Sequence, residues 1–208
     1  SCKVVLIGES GVGKTAIISR FIRDSFEEGQ ETSTMASYIS KEICIEECNL
    51  KLKLDIWDTA GQEKYRSLTK FFYKDAAVAI LVYDVTVEQS FKELSDYWTK
   101  QLIDCGSEKL IVGIAGNKCD LINEETVSET EVKELATKIK ATFQLTSAKT
   151  NTGIDTLFQK LGERFLNRHN AETPEEEEIQ RKRCSSKLVS KTEKKKKRTF
   201  PNKNRNEP

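Results

Sequence analysis

No apolar run in this 208-residue chain approaches the roughly 20 residues that span a bilayer, so no transmembrane helix is expected. The six cysteines, at positions 2, 44, 48, 105, 119 and 184, show no framework spacing. That argues against a disulfide-stapled scaffold and for reduced cytosolic thiols. Net charge is scarce, +1 overall, but unevenly placed: residues 168–208 carry 13 Lys/Arg against 7 Asp/Glu, leaving 21 against 26 in the body. An acidic body with a basic appendix argues against a nucleic-acid-binding core and for a tail that meets an anionic surface. The only methionine is Met35 and the chain begins at Ser1, directly before the first apolar run, so the natural amino terminus is expected to lie upstream, where a targeting signal stays open.

What is present is chemistry for a phosphorylated guanine ligand. Asn117-Lys118-Cys119-Asp120 ends an apolar run. A carboxylate at Asp120 can accept from N1 and the exocyclic amine together, a donor pair that guanine presents and adenine lacks. Gly8-Glu9-Ser10-Gly11-Val12-Gly13-Lys14-Thr15 places two glycines, a lysine and a hydroxyl in the phosphate-loop pattern, between the apolar run Val4-Val5-Leu6-Ile7 and a helical stretch. There the backbone amides face a β-phosphate, Lys14 spans the β and γ oxygens, and the Thr15 hydroxyl ligates magnesium at the positive end of a helix. Asp58-Thr59-Ala60-Gly61-Gln62 follows the strand-like Lys51 to Trp57. Asp58 suits a water-mediated hold on magnesium, the Gly61 amide can sense a γ-phosphate, and Gln62 can orient an attacking water.

Apolar runs alternate with amphipathic stretches, the pattern of a mostly parallel sheet covered by helices. The length suits one domain, residues 1–167, followed by a disordered basic tail over 168–208. Strands are expected near 2–7, 37–47, 50–57, 77–83, 110–116 and 142–146, and helices near 14–24, 64–73, 88–104, 129–140 and 153–167. Residues 37–57 read as a hairpin turning around Glu47-Cys48-Asn49, giving a six-stranded sheet with one antiparallel edge. Ser128 with Glu131, and Thr86 with Gln89, read as capping boxes. The phosphate loop, Asp58, Asp84 and Asn117 all fall at carboxyl ends of strands, where open α/β sheets bind ligands.

With these residues in place the chain resembles the Ras superfamily of small GTPases and, within it, the Rab family. The segments Trp57-Asp58-Thr59-Ala60-Gly61-Gln62-Glu63, Lys64-Tyr65-Arg66-Ser67-Leu68-Thr69, Phe72-Tyr73-Lys74-Asp75-Ala76 and Leu81-Val82-Tyr83-Asp84-Val85-Thr86 carry the likeness, which covers residues 2–167. The resemblance implies a three-layer phosphate-loop fold, bound GTP or GDP with magnesium, and slow hydrolysis as a switch in vesicle traffic, on the order of 10⁻⁴ to 10⁻² per second unaided. It implies nucleotide contacts from Ser10, Gly11, Val12, Gly13, Lys14, Thr15, Ala16, Phe26, Asn117, Lys118, Asp120, Leu121, Ser147, Ala148 and Lys149, with Gln62, Lys14 and Gly61 at the chemistry. Phe26 and the Lys118 stem would cover the two guanine faces, Asn117 would tie the base loop to the phosphate loop, and the Ala148 amide would meet guanine O6. The implied partners are a GTPase-activating protein, an exchange factor and effectors reading residues 27–40 and 60–75. A monomer, cytoplasmic and peripheral on endomembranes, is implied too.

Two segments depart from the family. The first switch reads Thr32-Ser33-Thr34-Met35-Ala36-Ser37-Tyr38; gapless counting puts Ser33 at the magnesium-ligating position, whereas Thr34 needs a one-residue slip. Either hydroxyl can ligate the metal. The chain closes on Asn204-Arg205-Asn206-Glu207-Pro208 with no prenylation box; its last cysteine is Cys184, a candidate for palmitoylation. The tail, with four Glu at 175–178 and the run Lys194 to Arg198, reads as a solvated linker, a contact for anionic lipid or an import-like patch. Two other classes stand beside the switch: a nucleotide-bound scaffold that does not cycle, and a phosphoryl-transferring kinase, which would need a lid insertion that residues 60–110 do not contain.

Overall fold

The computed structural model describes residues 1–29, 37–58, 75–105 and 109–172, with Cys105, Ala171 and Glu172 described by backbone alone. The switch candidates Ser33 and Thr34, the Thr59 to Gln62 segment, the helix expected over 64–73 and the tail from 173 onward lie outside the described residues. In chain order the elements are β1 (Cys2–Ile7), α1 (Lys14–Arg23), β2 (Ser37–Ile45), β3 (Leu50–Asp58) and β4 (Val78–Asp84). There follow α2 (Glu88–Glu93), a π-helical turn (Leu94–Trp98), α3 (Thr99–Cys105), β5 (Ile111–Asn117), a 3₁₀ turn (Ile122–Glu124), α4 (Glu129–Lys138), β6 (Thr142–Leu145) and α5 (Ile154–Glu172).

The strands form one six-stranded sheet in the order β2-β3-β1-β4-β5-β6. Only β2 and β3 pair antiparallel, with Ser37 opposite Asp58 and Ile45 opposite Leu50; the other pairings are parallel. Strand β4 is buried at every position, which is why it reads as an unbroken apolar run, whereas β2 on the edge alternates. Helices cover both faces. On one, Phe21 of α1 stacks on Phe158 of α5 with ring centroids 3.8 Å apart. On the other, Phe91, Leu94, Trp98, Val132 and Ala136 close over Val5, Ile7, Leu81, Tyr83 and Ile114. This is the expected three-layer α/β fold.

The differences from expectation are local. Strands β4 and β5 sit one residue later than their apolar runs suggest, and β3 extends one residue further, so Asp58, Asp84 and Asn117 are the last residues of their strands. The helix expected over 88–104 is broken by the π-helical turn, where the Thr99 hydroxyl donates to Leu94 O at 2.8 Å. Neither capping box forms. Ser128 occupies the N-cap of α4 but is exposed and makes no side-chain cap bond; Thr86 gives its hydroxyl to Asp84 instead, leaving Val87 as the N-cap of α2. Helix α5 runs to Glu172 rather than to 167, because nothing stops it before Pro174, whose ring disfavours helical backbone at the preceding residue. Residues Ser1–Phe165 form one compact unit; the second, Leu166–Pro208, is described only where it continues α5. Among the described residues no helix is long and apolar enough to cross a membrane.

Candidate nucleotide-binding site

The loop between β1 and α1 is shaped by its glycines. Gly13 lies in the left-handed region at φ 95°, and a Cβ there would stand 2.2 Å from Asn117 Nδ2; at Gly8 it would meet Val82 O at 2.2 Å. Helix α1 begins at Lys14 without a side-chain cap and without an acidic residue in its first turn, leaving its positive end to a ligand anion. Lys14 is 5% exposed, and its Nζ donates to Gly8 O at 2.8 Å and Glu9 O at 2.7 Å. Burial lowers its pKa to about 8, against the opposing pull of the Asp58 and Glu9 carboxylates. The loop is thus curled around a cation that burial makes costly to keep charged without an anion beside it.

Asp58 stands across from that lysine at the end of β3. Its Oδ2 accepts the Thr15 hydroxyl at 2.7 Å, while its Oδ1 is buried without a hydrogen-bond partner among the described residues. Burial raises the Asp58 pKa, and the Thr15 hydrogen bond and the Lys14 charge work against the rise. An orphan carboxylate oxygen beside a hydroxyl is a pair of hard oxygen donors that fits a magnesium ion. Among the described residues no group of three or more His, Cys, Asp or Glu gathers to hold a metal alone. Magnesium commonly takes one or two protein oxygens together with substrate phosphates, so two donors are enough.

The base-selecting turn is built between β5 and the segment after β6. Asn117, 1% exposed, donates from Nδ2 to Val12 O at 2.8 Å and accepts the Thr146 hydroxyl at 3.4 Å. The turn and the phosphate loop are therefore tied directly. Lys118 takes a left-handed backbone, φ 65°, and its Nζ pairs with Asp84 Oδ2 at 2.6 Å. Asp84 is itself fixed by the Thr86 amide and hydroxyl at 2.9 and 2.7 Å. Asp120 Oδ1 accepts the Ser147 hydroxyl at 2.5 Å, which orients the carboxylate, and the Leu121 amide closes the turn onto Lys118 O. Ala148 is buried, Lys149 pairs with Glu28 at 2.9 Å, and Phe26 is half-buried outside the core.

Of the expected site residues the structure places the phosphate loop, Asp58, Asn117 to Leu121 and Ser147 to Lys149 around the carboxyl ends of β1, β3 and β5. Gly61, Gln62, Ser33 and Thr34 fall outside the described residues. Three contributors were not among the expected site residues. Arg20 of α1 donates to Ala148 O at 2.7 Å and Lys149 O at 3.1 Å, anchoring the loop after β6. Asp84 holds Lys118, and Trp98 donates to Glu9 Oε1 at 2.9 Å. Only Asp84 left a trace in sequence, as a carboxylate ending an otherwise apolar strand.

A phosphate cradle at the first strand, bonded through Asn117 to a base-reading turn four strands along the chain, defines a phosphate-loop nucleotide-binding protein. Comparison with known proteins narrows this. The Ras family profile matches residues 3–167. The human Ras-related protein Rab-22A is 43% identical over 163 residues, covering 78% of this chain and 82% of its own; the mouse protein of that name is 41% identical over the same shares. The Arabidopsis thaliana Ras-related protein RABF2a is 37% identical over 174 residues, 84% and 86% of the two chains. The chain belongs to the Ras family, among the Rab small GTPases.

Proposed function

We propose that this Rab-family GTPase cycles between GTP- and GDP-bound forms in intracellular vesicle traffic, using residues 1–167 as its nucleotide-binding domain. The observation that carries the reading is the buried hydrogen bond from Asn117 to Val12, which makes the base-reading turn and the phosphate loop one rigid cradle. In it, the loop amides from Ser10 to Ala16 and the Lys14 ammonium hold the phosphates. Asp120, Ala148 and the flanking Ser147, Lys149 and Leu121 select guanine, with Phe26 and the Lys118 stem against its faces. Thr15 and Asp58, joined by Ser33 or Thr34, hold magnesium, which when bound neutralises charge on the β- and γ-phosphate oxygens. Gln62 orients the attacking water and the Gly61 amide meets the γ-phosphate. Activating protein, exchange factor and effectors read residues 27–40 and 60–75; the basic tail touches anionic membrane, and the protein works as a monomer at endomembrane surfaces.

The test is GTP hydrolysis by the purified protein beside Gln62→Leu, with the bound nucleotide identified. Slow magnesium-dependent turnover that falls at least about tenfold in the variant supports the switch. Equal, negligible turnover in both, persisting with an activating protein, replaces the switch by a scaffold that does not cycle.

A further inference from the structure

Glu9 puts a carboxylate inside the loop that is to hold phosphate. Its backbone carbonyl accepts Lys14 Nζ at 2.7 Å, so the residue lies against the cradle, and its charge reaches Lys14 through space. A carboxylate so placed is a covalently attached substitute for phosphate as a partner of the ammonium. Its Oε1, however, accepts Trp98 Nε1 at 2.9 Å. Trp98 is 3% exposed, packed with Leu94, Phe91 and Tyr83 in the core beneath the helices, so its indole is the rigid side of the pair and the Glu9 side chain the adjustable one. It ends the π-helical turn Leu94–Trp98. A π turn takes one residue more than an α turn, rotating the next face by about 100°, and such insertions gather at functional sites.

We propose that Trp98 is a positioning residue for nucleotide binding: its indole N–H holds the Glu9 carboxylate against the helical layer, where it cannot compete with phosphate for the Lys14 ammonium. The proposal rests on the nucleotide-binding reading given above. It differs from a packing role for Trp98 in one respect. Removing the indole N–H harms nucleotide retention only while position 9 carries a negative charge.

A double-mutant cycle on the full chain tests it, with dissociation of fluorescently labelled GDP measured for the unmodified protein, Trp98→Phe, Glu9→Gln and the pair. Trp98→Phe is expected to speed dissociation by about fivefold or more when Glu9 is present and by less than about twofold in the Glu9→Gln background. The same factor in both backgrounds, or none in either, overturns the proposal. Should Trp98→Phe not fold, Trp98→Tyr, which keeps a ring in the core and moves the donor, runs through the same cycle with the same deciding outcomes. If the unmodified protein binds no labelled GDP, the nucleotide-binding reading fails and this proposal fails with it; retention of GDP with a flat cycle removes this proposal alone.

Discussion

Lys14 shows how one buried side chain sets opposite demands on the empty and the filled protein. Its pKa of about 8, against an ordinary 10.5, means that between those values the unfolded chain binds a proton that the nucleotide-free folded chain does not. Stability of the nucleotide-free protein should therefore rise as pH climbs through that window, the penalty for the buried charge being in full force below about pH 8. Phosphate needs the charged form, so GDP affinity should fall over the same climb. The thermal unfolding midpoint without nucleotide and the GDP association constant, both followed from about pH 7 to about pH 10, should slope in opposite senses above about pH 8, and Lys14→Met should flatten both; parallel slopes would count against this role for Lys14. Asn117 offers a second test at the same scale. Asn117→Ala strands Val12 O and the Thr146 hydroxyl at a buried site, so urea unfolding should show a loss of about 1–3 kcal/mol. These roles were legible because only lysine, glycine or an amide can serve at those positions. Arg20 and Trp98 were not, and Asp84 was legible as a strand-end carboxylate but not as the partner of Lys118, since each meets a partner far away in sequence and an isolated arginine, aspartate or tryptophan prescribes no partner.

At the scale of elements, the junction of β1 and α1 is the least forgiving. Gly13→Ala combines a left-handed backbone at φ 95° with a Cβ 2.2 Å from Asn117 Nδ2, so the new methyl both strains the helix start and displaces the tie to β5. Unfolding in urea should show a loss beyond the roughly 1–2 kcal/mol of left-handed strain, and the protein should purify without nucleotide. Gly11→Ala, at φ 80° with nothing among the described residues within 4 Å of the added carbon, should cost that strain and little more. Equal losses for the two would remove the clash with Asn117 from the account. The strands were readable because a sheet covered on both faces needs uninterrupted apolar runs such as Val78 to Tyr83. The break in the helix over 88–105 was not, because a π turn leaves the spacing of apolar residues around Leu94 and Trp98 compatible with a plain α-helix. The capping boxes failed for a related reason: Thr86 found a nearer and charged acceptor in Asp84, a competition that residue spacing does not express.

For the whole molecule, the ligand is a structural member, since the residues assigned to it end β1, β3 and β5 and so join three strands of one sheet. A ligand that binds only the folded state at about a thousand times its dissociation constant adds about 4.1 kcal/mol. For a domain of this size each kcal/mol moves the unfolding midpoint by roughly 2–4 °C, so saturating GDP with magnesium should raise it by about 8–16 °C. ADP at the same concentration should move it by less than about 2 °C, because Asp120 has no donor pair to accept from on adenine. Chelating the magnesium should take away part of the GDP shift in the unmodified protein and none of it in Asp58→Ala, whose orphan oxygen is the one assigned to the metal. Equal shifts with GDP and ADP would reject the guanine assignment while leaving the phosphate cradle standing. A shift that ignores chelation in the unmodified protein would reject the metal assignment alone, since the amides and Lys14 would then hold the phosphates without it.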